Sequence, residues 1–247
     1  VETTKPLSQQ QIETFKTEGY LVVPGIIGTE YIDHWQQAIW QEIGGSVDDV
    51  ASWQGKTTEP RAQFEPESWR LHNHPTVEAI VEQLGGGGFV CGHDSCVTTW
   101  PLVDATWQKS ARGHLDGYND SIGWWPFMLS ATTYVHDVGP QGGALQLWPQ
   151  SHIAAWRHFR EHPDHIEGAY RDDPTWNEKL YGEGTPPSIE FTANAGDVVF
   201  WHAFMAHNGT MNCSNRPRIG LFTRWQHREQ DAIKHEIPED LWKYWGV

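Results

Sequence analysis

The chain has 247 residues, 38% apolar and 20% charged, a balance that excludes a disordered or fibrous polymer and leaves room for a sizeable buried core. Thirty-two acidic against seventeen basic residues give a formal net charge of -15, which argues against nucleic acid or an anionic membrane as partner. Cys91, Cys96 and Cys213 are odd in number and form no CxxC, so neither a disulfide framework nor a cysteine zinc site is expected.

No apolar run is long enough to span a bilayer, and "VETTKPLSQQ" lacks the basic-then-apolar pattern of a leader, so a cytoplasmic protein is expected. In "PLSQQQIETFKTEGYLVVPG", Ser8 is placed to cap a helix, Gln11 completes a capping box, and Leu7 staples against Ile12. Gly19 ends that helix, "YLVVP" reads as a short strand, and Pro24-Gly25 turns the chain. From Glu30 to Ile43 the apolar residues Ile32, Trp35, Ile39 and Ile43 follow a helical repeat closed by Gly44-Gly45. A third helix is predicted from Pro75 through Ile80 and Leu84 to the glycines at 85–88. Those glycines stop a helix; with no Gly-Lys-Ser/Thr after them they make no phosphate loop.

Beyond residue 89 the texture is β. Candidate strands are "FVCGH", "SCVTTW", the stretch entering His114, "FMLSATTYVHDV", "ALQLW", "SIEFTA", "DVVFWHA" and "IGLFTRW". Eight short strands separated by turn signals predict a double-sheet jelly roll or a small barrel. Residues 153–187 interrupt the pattern with a charged excursion, either a surface loop with its own helices or, our preferred reading, an active-site lid. The expected organisation is one domain over 1–247: a helical part at 1–88, a β core at 89–226 carrying the insertion 153–187, and a tail at 227–247.

The segment "GHLDGYND" places His114 and Asp116 two residues apart, on one face if the chain there is extended, so both can reach one ion. About one H-x-D is expected by chance in a chain with this many histidines, and a second, "HPD" at His162 to Asp164, is read as that chance occurrence. A redox-active iron centre needs two imidazoles and a carboxylate on one face of an octahedron, the opposite face staying open. The third ligand is sought in "GDVVFWHAFMAHNGT", where His202 and His207 lie five apart and would face opposite sides of an unbroken strand. Arg218, beyond a turn-rich segment and on a returning strand, favours His207, because its guanidinium suits a carboxylate cosubstrate. The tryptophans number 15, and most are expected to fill the core; Trp124, Trp125, Trp148 and Trp201 lie where they could instead wall a pocket.

Taken together, "LSQQQIETFKTEGYLVVPGII", "GHLD", "GGALQLWPQSH" and "AGDVVFWHAFMAHNGTMNCSNRPR" resemble the phytanoyl-CoA dioxygenase family of iron(II)- and 2-oxoglutarate-dependent oxygenases along most of the chain. The resemblance implies a mainly β fold with flanking helices, a double-stranded β-helix (jelly roll, cupin-like) core with N-terminal helices packed on one sheet. It implies Fe(II) held by His114, Asp116 and His207, the distal carboxylate of 2-oxoglutarate held by Arg218, and O2 as the oxidant. Three departures concern the cosubstrate pocket. Gly209 stands where many members carry serine, with Thr210 a substitute; Thr132 stands for a common tryptophan and can donate to a carboxylate; Gln150 replaces a turn glycine.

The implied reaction is hydroxylation of a small molecule, with 2-oxoglutarate split to succinate and CO2. Asp116 favours it over halogenation, since related halogenases lack that carboxylate; desaturation and ring closure remain open to the same site. Two alternatives stand beside it: a metal-dependent cupin-type enzyme that uses no keto acid and has no need of Arg218, and a non-catalytic jelly roll whose tryptophans stack on a ligand. The oligomeric state is not encoded in these motifs.

Overall fold

The computed structural model describes residues 6–102, 104–116 and 129–247. Helix α1, Gln9–Glu18, begins at Ser8 with a complete capping box to Gln11 and ends at Gly19, whose φ of 81° is the left-handed conformation a Cβ would disfavour. Strand β1, Tyr20–Val23, leads to α2, Thr29–Ile43, which buries the predicted stripe Ile32, Trp35, Ile39 and Ile43. Helix α3, Pro75–Gly85, carries its proline in the first turn, where no backbone donor is lost.

The β region follows as β2 Phe89–Thr99, β3 Leu129–Tyr134, β4 Leu145–Leu147, β5 Ile189–Phe191, β6 Val198–His202, β7 His207–Gly209 and β8 Arg218–His227. A five-stranded sheet has the order β1-β6-β3-β8-β2, and a three-stranded sheet the order β5-β4-β7. Every pairing is antiparallel. These are the two faces of a jelly roll, and the fold agrees with the class expected from sequence.

Alternation along the strands sorts the core into two layers. On β6, Val198 and Phe200 join α1, α2 and α3 in the outer layer, while Val199 and Trp201 point between the sheets. On β8, Ile219, Leu221 and Trp225 are in the outer layer, so Arg218, Phe222 and Arg224 share the inner face. The N-terminal helices thus cover one sheet. Each large side chain buried there, such as Trp35 or Ile39, both fully buried, contributes roughly 1.5–3 kcal/mol.

Several local expectations are corrected. "FVCGH" and "SCVTTW" form one strand, β2, because a register shift between Cys91 and His93 absorbs the glycine as a bulge instead of a turn. The stretch entering His114 is a single bridge to His207, too short for a strand. His202 and His207 do not share a strand: the chain turns after β6, with Met205 N donating to His202 O at 2.9 Å, before β7 begins. Trp124, Trp125 and the start of "FMLSATTYVHDV" lie outside the described residues.

The segment 153–187 is helical. Helix α4, Ser151–Glu161, is followed by two 3-10 turns at Pro163–Glu167 and Ala169–Asp172 and by α5, Trp176–Tyr181. Phe159, Tyr170, Trp176 and Leu180 are buried and belong to the inner core cluster. After β8 a short helix, α6, Gln230–Ile233, leads into a tail that returns to the N-terminal helices, Gly246 N donating to Leu84 O at 2.7 Å.

Candidate metal centre

His114 and His207 are set opposite one another by the backbone. His114 N donates to His207 O at 2.9 Å and His207 N to His114 O at 3.1 Å, the reciprocal pair of an antiparallel bridge. Residues paired in this way project to the same side, and the two rings lie 4.5 Å apart. Gly113 permits the approach, since a Cβ there would sit 2.7 Å from His207 N and 2.9 Å from the Trp148 ring.

Asp116 completes the group. Its Oδ1 lies 3.1 Å from His114 Nε2 and 3.5 Å from His207 Nε2. Two ligands at right angles on an ion with bonds of about 2.1 Å stand about 3.0 Å apart, so these atoms already approximate one octahedral face. His207 Nδ1 lies 3.1 Å from Met205 O, a pure acceptor, so Nδ1 carries the proton and Nε2 presents its lone pair. A lone pair facing a carboxylate oxygen calls for a cation between them, and the residues therefore fit a divalent metal. Burial keeps the His207 ring below its ordinary value, with Asp116 only partly opposing, so the ring is neutral as a ligand must be. Burial also works against the Asp116 charge, but its carboxyl stays well below the usual range, with the Arg224 guanidinium as the permanent charge that opposes burial.

His202 goes elsewhere. It stacks on Trp245 at 5.0 Å with an interplanar angle of 16°, and its Nδ1 accepts from Phe204 N at 2.9 Å, as a buried core histidine does.

Arg218 is 5% exposed on the inner face, its Nε donating to Gly143 O at 2.8 Å and Nη1 to Val97 O at 3.3 Å. Burial lowers its pKa, Tyr134 and Cys96 opposing. Among the described residues no carboxylate lies within ion-pair distance of it. A buried guanidinium without a counter-ion is costly, and this one is suited to an anionic ligand. A Cβ at Gly209 would lie 3.7 Å from Arg218 Nη2, so the missing serine leaves that flank open. Thr132 is fully buried and its Oγ1 accepts from Trp201 Nε1 at 3.3 Å, which leaves its own proton to give. Thr210 spends its proton within the protein, on Ala144 O at 3.2 Å or Glu190 Oε1 at 3.1 Å.

Three neighbours carry no motif of their own. Arg224 Nε donates to Asp116 Oδ2 at 3.0 Å and Nη2 to the same oxygen. Tyr134, two residues from Thr132 on the same face of β3, accepts from Leu145 N at 2.8 Å, and burial pushes its hydroxyl up to about 12. His93 pairs in register with Arg224. The available signal is alternation: Arg224 lies six residues from Arg218 and Tyr134 two from Thr132, even spacings that keep one face. Trp201 packs on His207 at 4.2 Å, and Trp148 meets Tyr181 at 5.3 Å, so both are buried against the centre.

A cavity of about 810 Å³ reaches Asp116 and Arg224 from the β2 edge, passing Arg61, Arg70, Asp94 and Phe222. That volume suits a small molecule.

A jelly roll presenting two imidazoles, a carboxylate and a buried arginine with no carboxylate partner among the described residues defines a non-haem iron oxygenase that uses 2-oxoglutarate. A model of the phytanoyl-CoA dioxygenase family, PhyH, matches residues 15–220, and the chain belongs to that family. No curated protein matches the sequence. Among solved structures it is similar to SnoK, a non-haem α-ketoglutarate-dependent carbocyclase from nogalamycin biosynthesis (TM-score 0.62, 19% identity, covering 97% of this chain and 96% of that one). It is also similar to HygX from Streptomyces hygroscopicus with nickel and 2-oxoglutarate bound (TM-score 0.59, 17% identity, covering 90% and 88%). EctD from S. alaskensis is a third (TM-score 0.58, 17% identity, covering 92% and 79%).

Proposed function

We propose that the protein hydroxylates a small molecule, consuming 2-oxoglutarate and O2 and releasing succinate, CO2 and the hydroxylated product. In this reading His114 Nε2, Asp116 Oδ1 and His207 Nε2 hold Fe(II), and Arg218 binds the distal carboxylate of 2-oxoglutarate. When bound, iron and the keto acid would reduce O2, giving the oxidant that removes a substrate hydrogen and returns a hydroxyl group. The single observation that carries the reading is Arg218, a buried cation on the inner face with no carboxylate partner among the described residues.

The protein's own groups orient, neutralise and exclude water. Met205 O fixes the His207 tautomer. Arg224 pins the oxygen of Asp116 that the histidines do not face. Thr132 and Tyr134, each with a hydroxyl proton to donate, share their face of β3 with the register that meets β8, and we assign them to the carboxylate pocket alongside Arg218. Thr210 is assigned a supporting place there, its hydroxyl donating to the Ala144 carbonyl or to Glu190. The carboxylate of Asp116 fills the position a halide would need, which favours hydroxylation over halogenation.

The cavity wall mixes Arg61 and Arg70 with Glu59 and Asp94, which suits a polar, functionalised metabolite better than a long acyl chain. Structural neighbours with bound small molecules, hygromycin B in HygX and nogalamycin RO in the epimerase SnoN, support a substrate of that kind. We read 1–247 as one catalytic unit in a reducing cytoplasm, where the three free cysteines are stable; no described helix is long and apolar enough to cross a membrane.

The decisive experiment is anaerobic addition of Fe(II) and 2-oxoglutarate to the metal-free chain. The expected result is a weak visible charge-transfer band that Arg218→Met abolishes at the same 2-oxoglutarate concentration. A band that is indifferent to Arg218→Met would refute the anchor, and no band at all would refute the centre. Succinate release stimulated by a panel of hydroxylated and amino-bearing metabolites then narrows the substrate.

A further inference from the structure

The second H-x-D of the chain, His162 to Asp164, lies beside a different constellation. His158 and His162 are four residues apart at the end of α4, so both rings leave the same face of the helix. The 3-10 turn at Pro163–Glu167 folds His165 back over them, its ring stacking on His162 at 4.9 Å with an interplanar angle of 18°. Asp173, just before α5, closes the group.

The ligand atoms converge. His158 Nε2 lies 3.0 Å from His165 Nδ1 and 3.8 Å from Asp173 Oδ2, and His165 Nδ1 lies 4.0 Å from Asp173 Oδ2. A point equidistant from atoms so spaced lies about 2.1 Å from each, the length of zinc–nitrogen and zinc–oxygen bonds. His162 offers a further ring nitrogen, within 4.8 Å of the ligand atoms of His158 and Asp173. Asp173 is fixed in orientation by its neighbour, since its Oδ1 accepts from Thr175 N at 2.7 Å and from Thr175 Oγ1 at 2.8 Å, which leaves Oδ2 aimed at the imidazoles. His158 is buried against Trp176 and Phe159.

We propose that His158, His162, His165 and Asp173 form a structural zinc site within the insertion, separate from the iron centre. Three imidazoles and a carboxylate are a borderline nitrogen and oxygen donor set, and four donors suit the closed tetrahedral coordination of structural zinc. The metal ties the end of α4 to the start of α5. Helix α5 ends at Tyr181, whose hydroxyl donates to Gly113 O at 3.0 Å beside His114, so the clamp supports the wall of the iron centre.

Lys179 identifies what must rearrange. Its Nζ lies 3.2 Å from His158 Nδ1 and donates to it, which places the ring proton on Nε2 toward His165. Zinc requires a bare Nε2, so the proton moves to Nδ1 and Lys179 turns to Glu161, already 3.3 Å away.

The experiment uses the full chain, stripped with a chelator, in a His114→Ala/His207→Ala background that removes the competing centre. Zinc alone is titrated and counted by elemental analysis, and cobalt(II) is titrated as a spectroscopic probe. The expected result is one zinc per chain, intense visible bands of four-coordinate cobalt, and a rise in melting temperature of about 5 °C or more at zinc a hundredfold above Kd. Adding His165→Ala and Asp173→Asn is expected to abolish all three. A background variant that binds no zinc, or binds it equally without His165 and Asp173, overturns the site. Should those substitutions prevent folding, Lys179→Met decides: removal of a competing cation is expected to leave zinc affinity unchanged or tighter, and a loss of affinity overturns the proposal.

Discussion

Arg224 grips one oxygen of Asp116 and leaves the other to the histidines. Oδ2 accepts from the guanidinium, with Nε at 3.0 Å, while Oδ1 stands 3.1 Å from His114 Nε2. The carboxylate is thereby fixed in rotation, and its metal-facing lone pairs are presented without a search. Arg224→Met is expected to weaken Fe(II) binding by about 10- to 100-fold, the range typical of lost partners to metal ligands. The check is a metal titration of the apo-protein. Unchanged affinity would mean that Asp116 is oriented by something else.

Arg218 should separate ligand binding from stability. Among the described residues this buried cation meets the carbonyls of Gly143 and Val97 and the ring of Phe222 but no carboxylate, so Arg218→Met is expected to leave thermal stability equal or higher. The same change removes a buried charge-assisted pair with 2-oxoglutarate, worth about 2–5 kcal/mol, and should raise the KM for that cosubstrate by about 30-fold or more. Fe(II) affinity measured without 2-oxoglutarate should not move. A destabilised variant with normal KM would assign Arg218 to the core alone.

Gly113 sets the spacing of the two histidines. An added Cβ would lie 2.7 Å from His207 N and 3.0 Å from His207 O, both backbone atoms that cannot step aside cheaply. Gly113→Ala is expected to pry open the bridge, cost about 1–3 kcal/mol in chemical denaturation, and weaken metal binding as well. A variant of full stability and affinity would show that the bridge is not what positions His114.

What the sequence made legible, and what it hid, follows the range of the interaction. The capping box at Ser8 and the left-handed stop at Gly19 are decided within one turn of chain, and both appear where expected. The H-x-D pair is local too, while His207 is favoured only through Arg218 and the family resemblance, because spacing alone leaves His202 in play until the turn at 203–206 separates them. Arg224 and Tyr134 depend on the register between β3, β8 and the segment at 114–116, which no short window contains. The bulge at Gly92 misleads for the opposite reason: a glycine usually punctuates, and here cross-strand pairing carries the strand through it. The histidines of 158–165 are hard to read as a group because the proline at 163 argues against a strand, and only the helix and 3-10 turn around it gather their rings.

The pH dependence of stability should fall away on both sides of neutrality, from histidines outside the iron centre. Burial, with Arg216 adding to it, lowers His136 to about 4, and burial lowers His152 to about 4 against the opposing carbonyl of Lys16. Both sit below their unfolded value of about 6.5, so the unfolded chain takes up more protons in that interval. Their contribution is whole above about pH 6.5 and is lost as pH falls towards 4, on the order of 3 kcal/mol for each. His72 has the opposite sign: its hydrogen bond to Asp94 at 2.6 Å, with Cys91 adding to it, raises it to about 10. The stability it contributes is whole below about pH 6.5 and drains away as pH rises towards 10. Denaturation of the chelated protein at about pH 5, 7 and 9 is expected to give a maximum near neutrality, with His72→Gln flattening only the alkaline side and His152→Gln only the acid side. An alkaline limb that survives His72→Gln would place the titrating group elsewhere.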